Sequence, residues 1–404
     1  MKKICIIGLG YVGLPLAVSL AKYFFVSGYD YSASRINEIK KFKNVKNFKF
    51  SNNVSSLVNS DVYIVTVPTP IFTNNKPDLS YVIKATKLIA KNINKKSLII
   101  YESTVYPGVT EEICVPILEK LSKLKLNKDF YVGYSPERVN VGEKSKNITK
   151  INKIISGSNN LAVKKIREIY SKIIKADIHI APNIKVAEAA KVIENIQRDI
   201  NIALVNELTI IFDKLNIDSY SVFEAASTKW NYVDYRPGLV GGHCVGVDPY
   251  YLAHKSKLHN IIPKIILQGR KVNERMSIYA SKKLQKNIST KFGNKKIRLL
   301  ILGCSFKKDC DDVRNSKVFD LFLNLQKKYK SIYMYDPIAK LDNHQKKKYN
   351  FLKRIEGKYD VIVLAVSHKV FLSTKFNLFK YLKKDYLLFD LMNSLKKDKC
   401  IIKL

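Results

Sequence analysis

Residues 3–13 read KICIIGLGYVG, and this stretch decides the fold of the first part of the chain. Its opening apolar run predicts a β-strand, and the three glycines that follow fit the strand–turn–helix pattern of a dinucleotide-binding loop. In that pattern Gly8 makes a tight turn, Gly10 lets a pyrophosphate approach the backbone, and Gly13 lets the following helix contact the sheet. Residues 14–23 have apolar side chains at helical spacing, so the stretch predicts a Rossmann-like domain.

A second strand is predicted at 25–30, and it ends in an acidic residue. Asp30 lies about 22 residues after Gly8, near the position where a carboxylate accepts hydrogen bonds from the adenosine ribose hydroxyls. A carboxylate there repels a 2′-phosphate, so the position favours NAD over NADP. Arg35 follows closely and has two open interpretations: it lies over the adenine or a phosphate, or it is a solvated cation at a helix start.

Further buried strands follow, and each ends in a polar loop. The predicted strands are 61–67, 97–101 and 130–134, and the polar residues after them are Thr69, Thr104 and Glu137. Ligands of a doubly wound sheet lie beyond the carboxyl ends of its strands, so we expect these side chains in one crevice with the glycine loop. Helix caps and turns are the alternative roles for the same residue types.

The pattern changes to long helices at about residue 183. Apolar residues keep helical spacing to about 208 without a breaker, which predicts a helix longer than one domain needs. We expect it to connect domains and to form a homodimer or higher homo-oligomer with a second copy. Lys191 and Asn195 lie four residues apart on one face, where a cation and an amide suit a developing oxyanion; a solvated lysine is the alternative.

The loop at residues 238–249, GLVGGHCVGVDP, places one cysteine among glycines with a carboxylate four residues later. Glycines let the backbone approach a ligand and turn N–H groups toward it, which suits a thiolate that attacks a carbonyl carbon. We interpret Cys244 as a nucleophile with Asp248 beside it. A glycine-rich turn around a structural core cysteine is the alternative.

A second strand–helix alternation begins at about residue 290, without a GxGxxG motif. Its predicted strands are 297–303, 331–336, 359–366 and 386–390. Lys307 follows the first of these strands and Arg314 opens the next predicted helix, where they suit phosphates or are surface cations. The predicted domains are therefore 1–182 for NAD binding, 183–290 for the helical centre, and 291–404 for a second α/β domain.

Net charge and cysteine content limit which ligands and partners the chain is expected to bind. Among 404 residues, 71 Lys and Arg against 34 Asp and Glu give a net charge of +37. The lysines are spread along the chain, so we expect no specific nucleic-acid partner, only attraction of an anionic nucleotide substrate. Six cysteines without CxxC or His/Cys spacing predict neither disulfides nor a metal. No signal peptide and no apolar run of ~20 residues is present, so we expect a cytoplasmic protein without membrane contact.

Several segments together resemble the UDP-glucose/UDP-mannuronate dehydrogenase superfamily from end to end. They are 8–13 with Tyr11 and Val12, 101–108 (YESTVYPG), 135–138 (SPER), 187–198, the Cys244 loop, and 306–310 (FKKDC). Within the superfamily, residues 236–244 (RPGLVGGHC) with 248–251 (DPYY) resemble the Vi-antigen type branch. That branch oxidises UDP-N-acetylglucosamine or UDP-N-acetylgalactosamine at C6 for bacterial surface polysaccharides, and both sugars remain open here.

The resemblance implies two Rossmann-like doubly wound domains joined by a long helix and a helical dimerisation domain. It also implies a four-electron oxidation with NAD, in which Cys244 forms a thiohemiacetal and then a thioester that water hydrolyses. Lys191 and Asn195 then stabilise oxyanions, and Asp248 works with Lys191 on proton transfers. Glu137 serves hydrolysis, and Thr104 holds the water and the cofactor.

The resemblance also implies the binding residues. Those for the cofactor are Gly8, Gly10, Tyr11, Val12, Gly13, Asp30, Arg35, Thr69 and Thr104. Those for the UDP-sugar are Glu137, Arg138, Lys191, Asn195, Arg236, Gly241, Lys307 and Arg314.

Residues 139–143 depart from the resemblance because they lack the proline of the branch. The UDP-glucose branch has a second glutamate where Val141 stands, which weakens that assignment. A UDP-N-acetylmannosamine dehydrogenase and a silent nucleotide-sugar binding protein are further alternatives. The second would be expected to lose Cys244, Lys191 or Asp248. A two-electron hydroxyacid dehydrogenase needs neither Cys244 nor a third domain.

Overall fold

The structure is a computed structural model that describes residues 2–57, 59–138, 148–395 and 401–404. Val141, where the sequence departs from the UDP-glucose branch, lies outside the described residues. Contacts within the chain define two compact units. The first comprises Met1–Glu194 and Tyr250–Ile262, and the second Asn195–Pro249 and Pro263–Leu404. The division into three domains stays a prediction.

The first unit is built on a mostly parallel sheet. In chain order its strands are β1 Lys3–Ile7, β2 Phe25–Tyr29, β3 Phe48–Ser51, β4 Val62–Val65, β5 Leu98–Tyr101, β6 Tyr131–Tyr134, β7 Lys153–Gly157 and β8 Ile178–Ile180. They lie side by side in the order β3-β2-β1-β4-β5-β6-β7-β8. Only the β6–β7 pair among these described strands is antiparallel, with Tyr134 opposite Ser156. The strand order reverses beside β1, where a doubly wound sheet binds its ligand.

The second unit is built on a parallel sheet of its own. Its strands are β9 Arg298–Leu302, β10 Ser331–Tyr335, β11 Tyr359–Leu364, β12 Leu382–Asp390 and β13 Ile401–Lys403. Their order is β10-β9-β11-β12-β13, and the neighbours among these described strands pair in parallel. Residues of β11 are buried on both faces, as expected where helices cover a parallel sheet on both sides.

Helices alternate with these strands. The α-helices are α1 Gly13–Leu20, α2 Ala33–Glu38, α3 Ser80–Ala90, α4 Val115–Ser122, α5 Asn160–Tyr170, α6 Ile184–Lys214, α7 Ser219–Ala226, α8 Asp248–Leu258, α9 Lys264–Phe292, α10 Lys317–Gln326, α11 Asn343–Lys348 and α12 Lys369–Leu372. Short 3₁₀ turns cover Lys40–Phe42, Val54–Leu57, Ile148–Lys150 and Leu378–Tyr381, and a π-helical turn covers Val109–Cys114. None of the described helices is both long and apolar enough to span a membrane.

The prediction of an α/β protein with two Rossmann-like sheets and a long helix is confirmed. Element ends differ where local contacts take over from periodicity. The first helix ends at Leu20 instead of residue 23, because the Tyr23 and Phe24 N–H groups both bond to the Leu20 carbonyl and close a turn. The last long strand begins at Leu382, earlier than 386, because Leu382 pairs with Tyr359 of β11.

Candidate active site

The glycine loop after β1 is shaped by close contacts within the first unit. Gly8 has a positive φ of 95°, which suits glycine, and its carbonyl accepts a hydrogen bond from the Thr66 hydroxyl at 2.7 Å. A Cβ on Gly13 would lie 1.8 Å from the Gly8 carbonyl oxygen, so no side chain fits there. A Cβ on Gly10 would meet nothing within 4 Å. The loop therefore leaves open space at Gly10, next to the start of α1, where a phosphate fits.

Asp30 and Arg35 both form hydrogen bonds with the backbone of this loop. One Asp30 carboxylate oxygen accepts from the Leu9 N–H at 2.9 Å, and the other accepts from the Ser32 N–H at 3.0 Å. Arg35 donates from Nε to the Leu9 carbonyl at 2.8 Å and pairs with Glu38. Arg35 thus has a structural contact that the sequence interpretations did not include. Asp30 stays only partly buried directly after β2.

The remaining cofactor candidates follow the strands β1, β4 and β5. Tyr11 is exposed, and Val12 occupies the N-cap position of α1. Thr69 and Thr104 are half-buried in the loops after β4 and β5. The sequence analysis missed Thr66, whose position at the end of β4, directly after a buried strand, was its available signal.

Glu137 lies in the loop after β6 against a buried cation. Its Oε1 accepts from the Arg138 N–H at 2.7 Å, and its Oε2 lies 3.6 Å from Lys153 Nζ. Arg138 pairs with Glu194 of α6 at 2.6 Å. Lys153 also lies 3.2 Å from Glu102, which directly follows β5. The sequence analysis named neither Lys153 nor Glu102 as functional.

Lys191 is buried in the part of α6 that belongs to the first unit. One helical turn earlier, Glu188 is fully buried and accepts backbone hydrogen bonds from Gly108 at 2.5 Å and Thr110 at 2.9 Å. Burial raises the pKa of Glu188 to about 7, although these hydrogen bonds oppose the rise. Glu188 therefore ties α6 to the loop that carries Thr104. Its signal in the sequence was a charged residue between Ala187 and Ala189 in an apolar stretch.

In the second unit, the predicted nucleophile and its neighbours are linked by hydrogen bonds. The Cys244 carbonyl accepts from the N–H groups of Val247 at 3.0 Å and Asp248 at 2.8 Å, so a helical turn begins at Cys244 just before α8. Asn195 donates from Nδ2 to Asp248 Oδ2 at 2.6 Å, and Asp248 is buried. Cys244 is half-buried.

The glycines before Cys244 make room for the protein's own chain. A Cβ on Gly241 would lie 2.6 Å from the Asn315 carbonyl oxygen, and one on Gly242 would lie 2.7 Å from the Phe306 ring. Asn315 donates from Nδ2 to the Gly242 carbonyl at 3.1 Å. The sequence pattern predicts that these glycines make room for a ligand, whereas at these two positions they make room for the segment after β9.

Three cations of the second unit were predicted to bind anions: Arg314, Arg236 and Lys307. The two arginines are paired with carboxylates of the chain itself. Arg314 is exposed and donates to both carboxylate oxygens of Asp312, and its Nη2 lies 3.3 Å from His243 Nδ1. Burial acts to raise the pKa of Asp312, but hydrogen bonds from Arg314 outweigh it and hold the pKa below its usual value. Arg236 pairs with Asp234 at 2.7 Å, and Lys307 is half-buried. Arg314 thus lies beside the residue that precedes Cys244.

A buried polar network anchors the start of the cysteine loop. Asn206 donates to the Gly238 carbonyl at 3.1 Å and accepts from the Gly238 N–H at 2.9 Å. Asn206 also bonds to Asn273 at 2.8 Å, and Asn273 bonds to Asp199, which pairs with the fully buried Arg270 at 2.5 Å. This network, which the sequence analysis missed, connects α6, α9 and the loop. No group of His, Cys, Asp and Glu in the described ranges is arranged to hold a metal.

Known protein families match the chain along most of its length. Sequence models described as the NAD binding, central and UDP binding domains of the UDP-glucose/GDP-mannose dehydrogenase family match residues 2–174, 185–275 and 300–397. The first model covers the glycine loop, the second covers Cys244, and the third covers Lys307 and Arg314.

Individual relatives extend this similarity. A UDP-N-acetyl-D-glucosamine 6-dehydrogenase of Salmonella typhi is 47% identical over 91% of this chain and 90% of its own. One of Pseudomonas aeruginosa is 43% identical over 100% and 99%. Among solved structures, a UDP-D-ManNAc dehydrogenase from Pyrococcus horikoshii superposes with a TM-score of 0.88 at 31% identity, covering 100% of this chain and 98% of that one. With an NAD binding domain, a central domain and a UDP binding domain in this order, the chain belongs to the UDP-glucose/GDP-mannose dehydrogenase family of oxidoreductases.

Proposed function

We propose that this enzyme oxidises the 6-hydroxymethyl group of a UDP-N-acetylhexosamine to a carboxylate, with UDP-N-acetylglucosamine as the first candidate substrate and UDP-N-acetylgalactosamine as the second. The observation that carries the proposal is the hydrogen-bonded set of Asn195, Asp248 and the Cys244 turn. A nucleophilic thiol beside a carboxylate suits an enzyme that carries a substrate through an aldehyde to an acid at one site. The names of the relatives from Salmonella typhi and Pseudomonas aeruginosa support this substrate class.

The glycine loop fits a dinucleotide, because Gly10 borders open space and Asp30 accepts a hydrogen bond from the Leu9 N–H of the same loop. We assign the ribose to Asp30. Two NAD molecules, bound one after the other, would each accept one hydride from the substrate. We assign the contacts of NAD to the loop with Tyr11 and Val12, to Asp30 and Arg35, and to Thr69 and Thr104. Asp30 would repel a 2′-phosphate, which favours NAD over NADP.

The chain's own residues would then act in sequence. The Cys244 sulfur bonds to the aldehyde carbon, and the oxygen that gains charge is stabilised by the Lys191 ammonium and the Asn195 amide. Asp248, held by Asn195, exchanges protons with Lys191. After the second oxidation the sulfur is part of a thioester, which water attacks with Glu137 as the base. Thr104 would hold that water.

The UDP-sugar would meet the cations of the second unit. We assign contacts with its phosphates and sugar to Lys307 and Arg314, which lie in the part matched by the UDP binding domain. Arg314 is supported by its position beside His243. Arg138, Arg236 and Gly241, together with the catalytic side chains, complete the proposed contacts.

We also propose a homodimer formed through α6. Val186, Ile193, Leu204 and Ile211 are exposed apolar residues on this helix, and their spacings of seven and eleven place them on one stripe. An apolar stripe of this kind is buried in a self-complementary interface. Light scattering after size exclusion should give twice the chain mass, and Ile193→Lys should reduce it.

The domain boundaries at 182 and 290 fit the gaps between the three family matches. A cytoplasmic location is supported by the five described cysteines, which are free thiols, as is usual in a reducing compartment. Cell fractionation would test it. We propose no specific nucleic-acid partner, because cations are distributed over the whole chain.

The deciding experiment mixes the enzyme with NAD and a panel of UDP-sugars, and measures both NADH and product mass. UDP-N-acetylglucosamine or its 4-epimer should react best, and each molecule consumed should give two NADH and a uronic acid. A free aldehyde with one NADH would refute the thioester mechanism. Preference for UDP-N-acetylmannosamine or UDP-glucose would assign another substrate, and no turnover of any sugar would favour a silent binding protein.

A further inference from the structure

A buried cation lies directly behind Glu137 in the first unit. Lys153, the first residue of β7, has a side chain that is 4% exposed. Its Nζ lies 3.1 Å from the Pro136 carbonyl oxygen, 3.2 Å from Glu102 Oε1 and 3.6 Å from Glu137 Oε2. It also lies 4.9 Å from the centre of the Tyr170 ring. The ammonium group therefore bridges two carboxylates from different strands.

Glu102 is the more deeply buried of these carboxylates. Its side chain is fully buried, and the Tyr170 hydroxyl donates a hydrogen bond to it. Burial raises the pKa of Glu102, and the charge of Glu137 adds to the rise while Lys153 opposes it. Burial also raises the pKa of Tyr170 well above its usual value, so Tyr170 stays a donor. Glu102 and Lys153 form an ion pair away from water, and Glu137 is the member nearer to the surface.

One cation shared by two buried carboxylates leaves an excess negative charge when both are ionised. Buried charges are costly unless they are paired, so this excess favours a proton on one carboxylate. Lys153 opposes that proton, and Glu102 promotes it. We propose that Lys153 and Glu102 are opposed positioning residues that together place the Glu137 carboxylate and set the charge around it.

The consequence for the reaction rests on the proposed function, in which Glu137 is the base for thioester hydrolysis. Water gives one proton to Glu137 while its oxygen bonds to the thioester carbon. The carbon–sulfur bond then breaks, its electron pair stays on the Cys244 sulfur, and Glu137 later releases the proton. Proton uptake cancels the excess charge of the cluster, so Glu102 strengthens the base. Lys153 is the cation that the Glu137 carboxylate faces before water is attacked.

The surroundings of Glu137 define what else contributes to its titration. Arg138 donates its N–H to Glu137 and pairs through its guanidinium with Glu194 of α6. Tyr170 at the end of α5 faces Glu102. Lys153 and Glu102 are the charged groups of the described residues that reach Glu137 from β7 and from the end of β5.

The test titrates Glu137 directly in the full chain without cofactor or substrate. Infrared carboxylate bands recorded across pH identify Glu137 as the band lost in Glu137→Gln. Lys153→Met should raise the midpoint of that band by about 1–3 pH units, as expected when an opposite charge within ~4–6 Å is removed. Glu102→Gln, which keeps the shape, should lower it by about one pH unit. Lys153→Arg is the matched control and should keep the midpoint close to that of the wild type.

The same variants should shift the acid limb of the pH–rate profile for thioester hydrolysis, measured in single-turnover experiments. Lys153→Met should move this limb to higher pH and Glu102→Gln should move it to lower pH. Circular dichroism establishes that each variant is folded, and Glu102→Gln keeps the test decisive if Lys153→Met does not fold. Unchanged midpoints, or shifts of the same sign in both variants, would overturn the inference. Opposite band shifts in a protein that oxidises no UDP-sugar would uphold the inference while refuting the proposed function.

Discussion

Replacing Gly242 with alanine tests whether the cysteine loop depends on contact with the segment after β9. Gly242 has a φ of +83°, a conformation that L-residues rarely adopt. The new Cβ would also lie 2.7 Å and 2.9 Å from two carbons of the Phe306 ring. Both effects act on the folded state, so we expect Gly242→Ala to destabilise the second unit.

The expected decrease in the free energy of unfolding combines two contributions. A left-handed backbone costs a non-glycine residue about 1–2 kcal/mol. Forcing a methyl group into a packed ring costs about 1–3 kcal/mol. The total of roughly 2–5 kcal/mol is a large share of the 5–15 kcal/mol that stabilises a typical domain. Because Gly242 lies two residues before Cys244, turnover should fall as well, since a displacement of ~1 Å at a reacting group can cost about 100-fold.

Thermal unfolding monitored by circular dichroism measures this loss. Gly246→Ala is the matched control, because its φ is ordinary and its nearest neighbours are 3.7 Å from the new Cβ. That variant should keep the stability of the wild type. Adding Phe306→Ala to Gly242→Ala should recover the steric part, so the double variant should be less destabilised than the two single variants combined. Equal melting temperatures for Gly242→Ala and Gly246→Ala would refute the reasoning.

Four further outcomes can be measured. Cys244→Ser should lower NADH formation by orders of magnitude while calorimetry still shows NAD binding; largely intact turnover would place the nucleophile elsewhere. Asp30→Ala should reduce the preference for NAD over NADP, and equal use of both by the wild type would contradict the ribose assignment. Since the pKa of Glu188 is raised from 4.5 to about 7, the folded state should lose stability as pH rises through that window, and Glu188→Gln should abolish this decline. The melting temperatures of wild type and Glu188→Gln should therefore change relative to each other between pH 5 and 7, and parallel curves would exclude the shift. Raising salt should increase KM for the UDP-sugar modestly with kcat nearly constant, whereas a salt-tolerant, sequence-selective nucleic-acid complex would contradict the interpretation of the charge.

The glycine loop was predictable because its signal is local. Strand, glycines and helix occupy residues 3–20, and each glycine has a role that its neighbours in sequence define. The position of Asp30 was predictable for the same reason, since it ends the next predicted strand. The long helix followed from periodicity, and α6 spans Ile184–Lys214 as an unbroken element. Patterns of this kind need no knowledge of which strands are neighbours.

The cluster behind Glu137 was not predictable because it depends on strand direction. In a fully parallel sheet, the first residue of a strand lies at the edge opposite to the carboxyl ends. β7 runs antiparallel to β6, which brings Lys153 to the edge where β5 and β6 end. Glu102 follows β5 directly, and Glu137 lies in the loop after β6. A sequence pattern shows that Lys153 begins a strand, but not the direction in which that strand pairs.

The glycines of the two loops differ individually in what they approach, and this decides how each position should respond to substitution. Gly13 and Gly242 lie against protein atoms, so side chains at these positions should disturb the fold before any ligand binds. Gly10 borders open space, so alanine there should leave stability unchanged and interfere with a bound phosphate instead. A glycine motif in a sequence therefore mixes positions required by the fold with positions required by the ligand. Separate measurements of melting temperature and NAD affinity for Gly10→Ala and Gly13→Ala should distinguish them: Gly10→Ala should weaken NAD binding at an unchanged melting temperature, whereas Gly13→Ala should lower both.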